Sequence, residues 1–390
     1  MSSRSSEYPF PLPDNTVKAL ELWGGLGGPG GGQGVINLGS GDPAFITPDH
    51  IRQAAKDAID AGKTHYERNQ DLKDAIAAKL QRENGVHVDP VHGVVVTAGA
   101  HHALDTVFRA YVGPGDEVLM GNPGSYYYKN TIANGGVAVE IPLRKERGFR
   151  LDPAEVAARI TDRTRIIALT TPEAPAAAVQ TKSDLEAIAD LAVRHDLLVI
   201  ADEIYEAIFF ADEPHASIGS FPGMGGRTIT VNALSKAWAM TGWRVGYAAG
   251  EATVMRPVQA VNGLSSITIT SIAQFAGLAA LTGPQDFLAE ALQVYRRRRD
   301  ILVDGIRTID GLDCLVPEGT YYCWVNMKHL GLSSAEFQAF CARETGVSFN
   351  PGTTFGTEGE GYIRLSCSPK EADITEGLNR LETAVRKLRS

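Results

Sequence analysis

Between Gly93 and Ala249 the chain repeats one pattern, a short apolar, β-branched run followed by a longer stretch with apolar residues at helical spacing. Gly93–Thr97 reads as a strand and Ala100–Val112 as a helix. Asp116–Gly121, Arg165–Thr170, Leu197–Ala201, Thr228–Asn232 and Val245–Ala249 read as further strands, with a helix at Ser183–Arg194. Strands this uniformly apolar cannot leave a face in water. They predict an α/β fold with a parallel-dominated sheet covered by helices on both faces. In such sheets ligands sit beyond the carboxyl ends of the strands.

From about Gly283 the pattern changes. A long polar helix, roughly 284–306, leads to short strands at Tyr321–Val325 and Tyr362–Ser366. This predicts a large domain over 46–283 and a smaller one built from 1–45 and 284–390. Residues 15–23 read as a short helix. Gly24–Gly34, with eight glycines in eleven residues, reads as a loop and not as regular structure, either over the surface or as a flap near a site.

The net charge of -9 and the lack of a basic tract argue against a nucleic-acid partner. The one basic run, Arg296–Arg299, lies between Glu290 and Asp300 and reads as a solvated helix face. Cys314, Cys323, Cys341 and Cys367 form no Cys-x-x-Cys pair, so a metal site or disulfide framework is not expected, and such usage fits a reducing cytoplasm. The amino terminus has no apolar signal core, and no uncharged run approaches the ~20 residues of a membrane span.

The segment with most chemistry runs Ser235-Lys236-Ala237-Trp238-Ala239-Met240-Thr241-Gly242-Trp243-Arg244. A lysine just after a strand can lose its proton and add to a carbonyl, and a nearby arginine can bind a phosphate while lowering that amine's pKa. Ile200-Ala201-Asp202-Glu203-Ile204-Tyr205 places a carboxylate and a phenol at a strand end. Thr97-Ala98-Gly99-Ala100-His101-His102 is a strand, a glycine turn and a helix start, whose free amides attract phosphate. Adjacent histidines on a helix point apart, which disfavours a metal there.

Together these segments resemble the aminotransferase class I/II family of fold-type I pyridoxal 5′-phosphate (PLP) enzymes, over roughly residues 35–385. The resemblance implies a mostly parallel seven-stranded sheet between helices and a smaller α/β domain. It implies Lys236 as the Schiff-base lysine and Ser235 and Arg244 as phosphate ligands, with Gly99, Ala100 and His101 at the phosphate. Asp202 would pair with the ring nitrogen and Tyr205 with the phenolic oxygen. Arg364, in Ile363-Arg364-Leu365-Ser366, would grip the substrate α-carboxylate, with Gly41 of Leu38-Gly39-Ser40-Gly41-Asp42 beside it. Tyr66 would reach the phosphate of a partner subunit, making a homodimer that acts on amino acids.

The chain also departs from that family. The usual Asn-Pro-x-Asn-Pro-Thr-Gly reads Thr171-Pro172-Glu173-Ala174-Pro175-Ala176-Ala177, so Ala174 replaces the asparagine that bonds the phenolic oxygen. Ser125 stands where an aromatic often stacks on the ring, and Ala233 where a phosphate-binding serine is frequent. An aminotransferase is the first reading. A lyase or an oxidative decarboxylase acting on a cysteine S-conjugate shares the same lysine chemistry, and a non-catalytic scaffold shares the fold.

Overall fold

The computed structural model of the chain describes residues 12, 14–22, 34–67, 70–124 and 127–389. The glycine-rich stretch, except Gly34, lies outside these residues, as does Ser125. Seven strands form the central sheet: β1 (Val94–Thr97), β2 (Glu117–Asn122), β3 (Val137–Pro142), β4 (Thr164–Thr170), β5 (Leu198–Asp202), β6 (Thr228–Ala233) and β7 (Gly246–Ala249). Their order is β1-β7-β6-β5-β4-β2-β3. β7 runs antiparallel to β1 and β6, and all other pairs are parallel.

Alternation along the strands explains the two covered faces. Ile166 and Ala168 of β4 enter one core with Leu104, Val107 and Phe108 of the helix Ala100–Tyr111. Ile167 and Leu169 enter the opposite core with Leu185, Ile188 and Leu191 of the helix Lys182–Arg194. Successive side chains point to opposite faces, so a strand buried on both sides must be apolar throughout. Each fully buried aliphatic side chain contributes about 1.5–3 kcal/mol.

A second sheet follows: β8 (Asp313–Cys314), β9 (Tyr322–Asn326), β10 (Asn350–Pro351) and β11 (Tyr362–Ser366), all antiparallel, in the order β10-β11-β9-β8. The helices Asp286–Thr308, Ser334–Thr345 and Glu371–Arg389 share a core with it. The amino-terminal segment joins there, because Ile36–Asn37 pairs in parallel with Val347–Ser348. The loop before β9 is bonded to the other side of the molecule: Phe210 N–H donates to Glu318 O (2.7 Å), Glu318 N–H to Ala177 O (2.9 Å) and Thr320 N–H to Ile208 O (2.8 Å).

Four features differ from the sequence reading. The strand read as Leu197–Ala201 runs one residue further, to Asp202, which pairs with both Thr170 and Val231, so the carboxylate stands at the strand end, within the ladder. Lys236 lies in a one-turn helix, Leu234–Ala237, and not in a loop. The edge strand β3 had no uniform apolar signal because it is half in water, with Val137 exposed. Of Arg296–Arg299 only Arg297 is exposed, so the run is not a solvated face as a whole. Arg298 is buried, stacks 5.2 Å from the Phe45 ring centroid and donates to Ser368 O, while Arg296 and Arg299 lie over Phe210. Guanidinium planes stack on aromatics, and their stems cover apolar surface. All four cysteines are free and buried, and no helix among the described residues is long and apolar enough to cross a membrane.

A buried polar network holds the segment that follows Asp202. Lys79 pairs with Glu206 and donates to Asn84 Oδ1 at 2.8 Å. Asn84 Nδ2 donates to Glu203 Oε2 (3.0 Å) and Glu206 Oε2 (2.6 Å), and Ser217 Oγ to Glu203 Oε2 (2.7 Å). Removing one charge from a buried pair leaves the other uncompensated. Lys79→Met is therefore expected to lower unfolding free energy by about 3–5 kcal/mol, read from urea denaturation midpoints.

Candidate active site

The carboxyl ends of β4, β5 and β6 and the start of the helix Ala100–Tyr111 face one cavity of about 600 Å³. Lys236, Asp202, Tyr205, Ser235, Arg244, Ala100, His101, Gly41 and Arg364 all line it, as do Ala174, Thr170 and Tyr322. One cavity thus gathers residues separated by more than 300 positions in the chain.

One end of the cavity suits an anion. Gly99 caps the helix Ala100–Tyr111 at φ 86°, and the first amides of that helix have no partner within it. Arg244, in the left-handed region at φ 55°, crosses behind Gly99, its Nη2 donating to Ala98 O at 3.0 Å and its Nη1 to Thr241 O at 2.9 Å. A Cβ on Gly99 would lie 2.4 Å from Arg244 Nη2, so only glycine lets the guanidinium approach this backbone. Burial lowers the His101 pKa, and Arg244, Lys236 and Lys129 lower it further, which shows how much positive charge converges here. His102 turns away: its Nδ1 accepts from Ala98 N–H, and its Nε2 meets Ser265 Oγ.

The other end holds Asp202. Burial raises its pKa to about 7, Glu203 adds to the rise, and the Ile204 N–H and Lys236 oppose it. Lys236 lies between the two ends, with Nζ donating to Gly41 O at 2.7 Å. Burial lowers its pKa, and Arg364 and Arg244 act in the same sense against Tyr322 and Asp42. Arg364 is clamped between two rings, its Cζ 3.8 Å from the Tyr322 centroid and 4.5 Å from that of Phe355. Its Nη2 donates to Gly39 O at 3.2 Å, while Nε is buried with no hydrogen-bond partner among the described residues. A guanidinium whose plane is fixed at a cavity wall suits a planar carboxylate.

These residues fit PLP. A helix start with an arginine and Ser235 matches a phosphate, a buried carboxyl matches a ring nitrogen, and an amine with lowered pKa lies between them. Ala174 leaves a methyl group at the cavity wall, and Tyr205 Oη donates to Tyr322 Oη at 3.2 Å. Ala177 takes φ 60°, the region that favours the glycine usual there. Tyr66 is outside the cavity and 79% exposed. Reading the motifs missed Tyr321, Tyr322 and Phe355. The two tyrosines stood in a run read only as a strand, and Phe355 sits in a short helical turn, Gly352–Phe355, without a periodic pattern.

Fold and site together define a PLP-dependent transferase of the type I fold. The profile of the family Aminotransferase class I and II matches residues 33–381. An aspartate aminotransferase of Pyrococcus abyssi is 37% identical over 359 residues, 90% of this chain and 92% of that protein. An aromatic-amino-acid aminotransferase of Thermococcus litoralis is 36% identical over 361 residues, covering 91% and 92%. Among solved structures, the aromatic aminotransferase of Pyrococcus horikoshii superposes with a TM-score of 0.89 at 37% identity, covering 95% of this chain and 99% of that one. The chain belongs to the class I and II aminotransferase family. It is an enzyme, a PLP-dependent aminotransferase.

The raised Asp202 pKa bears on stability. A carboxyl whose folded pKa lies above its unfolded value binds its proton more tightly when folded, so its contribution falls as pH rises between about 4 and about 7. Cofactor-free Asp202→Asn is expected to exceed the cofactor-free parent in stability at pH 7.5 by up to about 4 kcal/mol, with the gap closing at pH 4.5, in paired urea titrations.

Proposed function

We propose that the protein transfers the α-amino group of an amino acid to a 2-oxo acid, with Lys236 as the covalent anchor and proton carrier. The observation that carries this reading is one cavity lined by Lys236, Asp202 and a ring-clamped Arg364. PLP, when bound, supplies an electron sink for the bonds at the substrate's α-carbon. Arg364 binds the α-carboxylate, and its clamp by Tyr322 and Phe355 fixes the plane of the guanidinium fork. Lys236 Nζ, with its pKa lowered by burial, takes the proton from the α-carbon and returns it. Asp202 would hold a proton at the ring nitrogen, and Tyr205, whose hydroxyl donates to Tyr322 Oη in this structure, would turn that hydrogen to the phenolic oxygen. Gly99, Ala100, His101, Ser235 and Arg244 would hold the phosphate. Gly41 places its carbonyl against the lysine.

The large unit over 46–283 would carry the cofactor, and 1–45 with 284–390 the carboxylate grip; the pairing of Ile36–Asn37 with Val347–Ser348 supports that division. Four buried free thiols suit a cytoplasmic enzyme.

Borohydride reduction of the loaded enzyme, then peptide mapping, should place the cofactor on Lys236. An amino donor and a 2-oxo acid should yield the exchanged pair without ammonia or carbon dioxide. Label on another lysine, or release of either small product, contradicts the reading.

The enzyme works as a homodimer in this reading: the family places a tyrosine like Tyr66 at the partner's phosphate, and Tyr66 is exposed and does not line the cavity of its own subunit. Sedimentation should show a dimer. Mixing Tyr66→Ala with Lys236→Ala subunits should restore activity beyond either parent, because one site of each hybrid regains both residues. An active monomer would refute this arrangement.

A further inference from the structure

The carbonyl of Gly41 accepts two donors at once. Lys236 Nζ reaches it at 2.7 Å and the Tyr321 hydroxyl at 2.6 Å. Tyr321 is fully buried, and its ring is wedged edge-on against Tyr205 (centroids 5.6 Å apart) and Tyr322 (4.9 Å) and tilted on Tyr295 (5.5 Å). That packing fixes the direction of the hydroxyl. Burial, reinforced by Tyr205 and Tyr322, holds the Tyr321 pKa far above its ordinary value, so the phenol keeps its proton and serves as a donor.

Two donors on one oxygen compete, since each draws on the same electron density and their hydrogens repel. The bond from the lysine is the charge-assisted one, strongest when the amine is an ammonium. A hydrogen bond to the charged form of a group favours that form. Weakening that bond therefore favours the neutral amine.

We propose that Tyr321 is a positioning residue for Lys236: by occupying one side of the Gly41 carbonyl, its hydroxyl lets that carbonyl hold the free amine in place without retaining the amine's proton. The inference rests on the reading of Lys236 as anchor and proton carrier, since both roles need a free lone pair on Nζ. Other charges face the amine. Arg364 on β11 and Arg244 favour its neutral form, while Asp42 and Tyr322 oppose them. Asp202 on β5 and His101 at the helix start also interact with it. A Tyr321→Phe change removes one oxygen and keeps every one of these side chains; it also withdraws a hydrogen bond from Tyr322, which acts against a rise in the Lys236 midpoint, so a rise reports the Gly41 carbonyl.

The test uses cofactor-free full-length enzyme. Competitive acetylation with acetic anhydride across a pH series, with the Lys236 peptide quantified by mass spectrometry, gives the midpoint at which the amine becomes reactive. Tyr321→Phe should raise that midpoint by about half a pH unit, an approximately threefold loss of labelling below it. Tyr295→Phe is the control, because it removes a hydroxyl from the same ring cluster that has no hydrogen-bond partner among the described residues. Its midpoint should match the parent. A Tyr321→Phe midpoint that stays or falls, or an equal rise in Tyr295→Phe, overturns the proposal. Borohydride mapping of the loaded parent separates this failure from that of the underlying reading: with label on Lys236 and an unmoved midpoint, only the role of Tyr321 falls.

Discussion

The site depends on a close approach of backbones at Gly246. That residue pairs with Thr97 of β1 on one side and with Ala233 of β6 on the other. A Cβ there would lie 2.6 Å from Gly99 C and 2.8 Å from Ala100 N. With no side chain in the way, three elements meet at one register position. The helix start lies three residues beyond Thr97, Lys236 three beyond Ala233, and Arg244 two before Gly246. An antiparallel strand inserted into an otherwise parallel sheet is what makes this possible. It brings the chain back to the edge where the neighbouring strands end, so an arginine arrives beside a helix start that no parallel connection would have given it.

The cavity also shows a conflict that the fold tolerates for the sake of function. Asp202 is buried at a strand end, where its carboxyl resists ionisation, and the nearby Lys236 amine resists protonation for the same reason. Neither is held by a short direct ion pair among the described residues. Elsewhere the protein does the opposite: Lys79, Glu203 and Glu206 are tied by hydrogen bonds into a network with Asn84, Ser217 and Asn232. The contrast separates groups kept available from groups kept still, although Asp202 and Glu203 are adjacent in sequence and point to opposite sides of one strand end.

Much of this was legible in the sequence, for identifiable reasons. β-branched runs such as Val94–Thr97 and Thr164–Thr170 announce buried strands because both faces are covered. Lys236, Asp202, Arg244 and Arg364 were readable because they sit in segments whose order and spacing resemble a known family. The arginine run was misread because charge patterning reports solvation only when no ring lies opposite, and the partners Phe45 and Phe210 are distant in sequence. The aromatic clamp on Arg364 was invisible for the same reason, since Tyr322 and Phe355 come from separate elements and no local periodicity links them.

The loop before β9 has a mechanical meaning. Its bonds to Ala177, Ile208 and Phe210 suspend the four-stranded sheet from the cofactor side at one end, a few residues from Tyr322. The strand that carries Arg364 pairs with the strand that begins at Tyr322, so the tether reaches the arginine through one ladder of backbone bonds. The spacing between Arg364 and the far wall of the cavity is therefore set by main-chain geometry, which a change of side chain at Glu318 or Thr320 leaves in place.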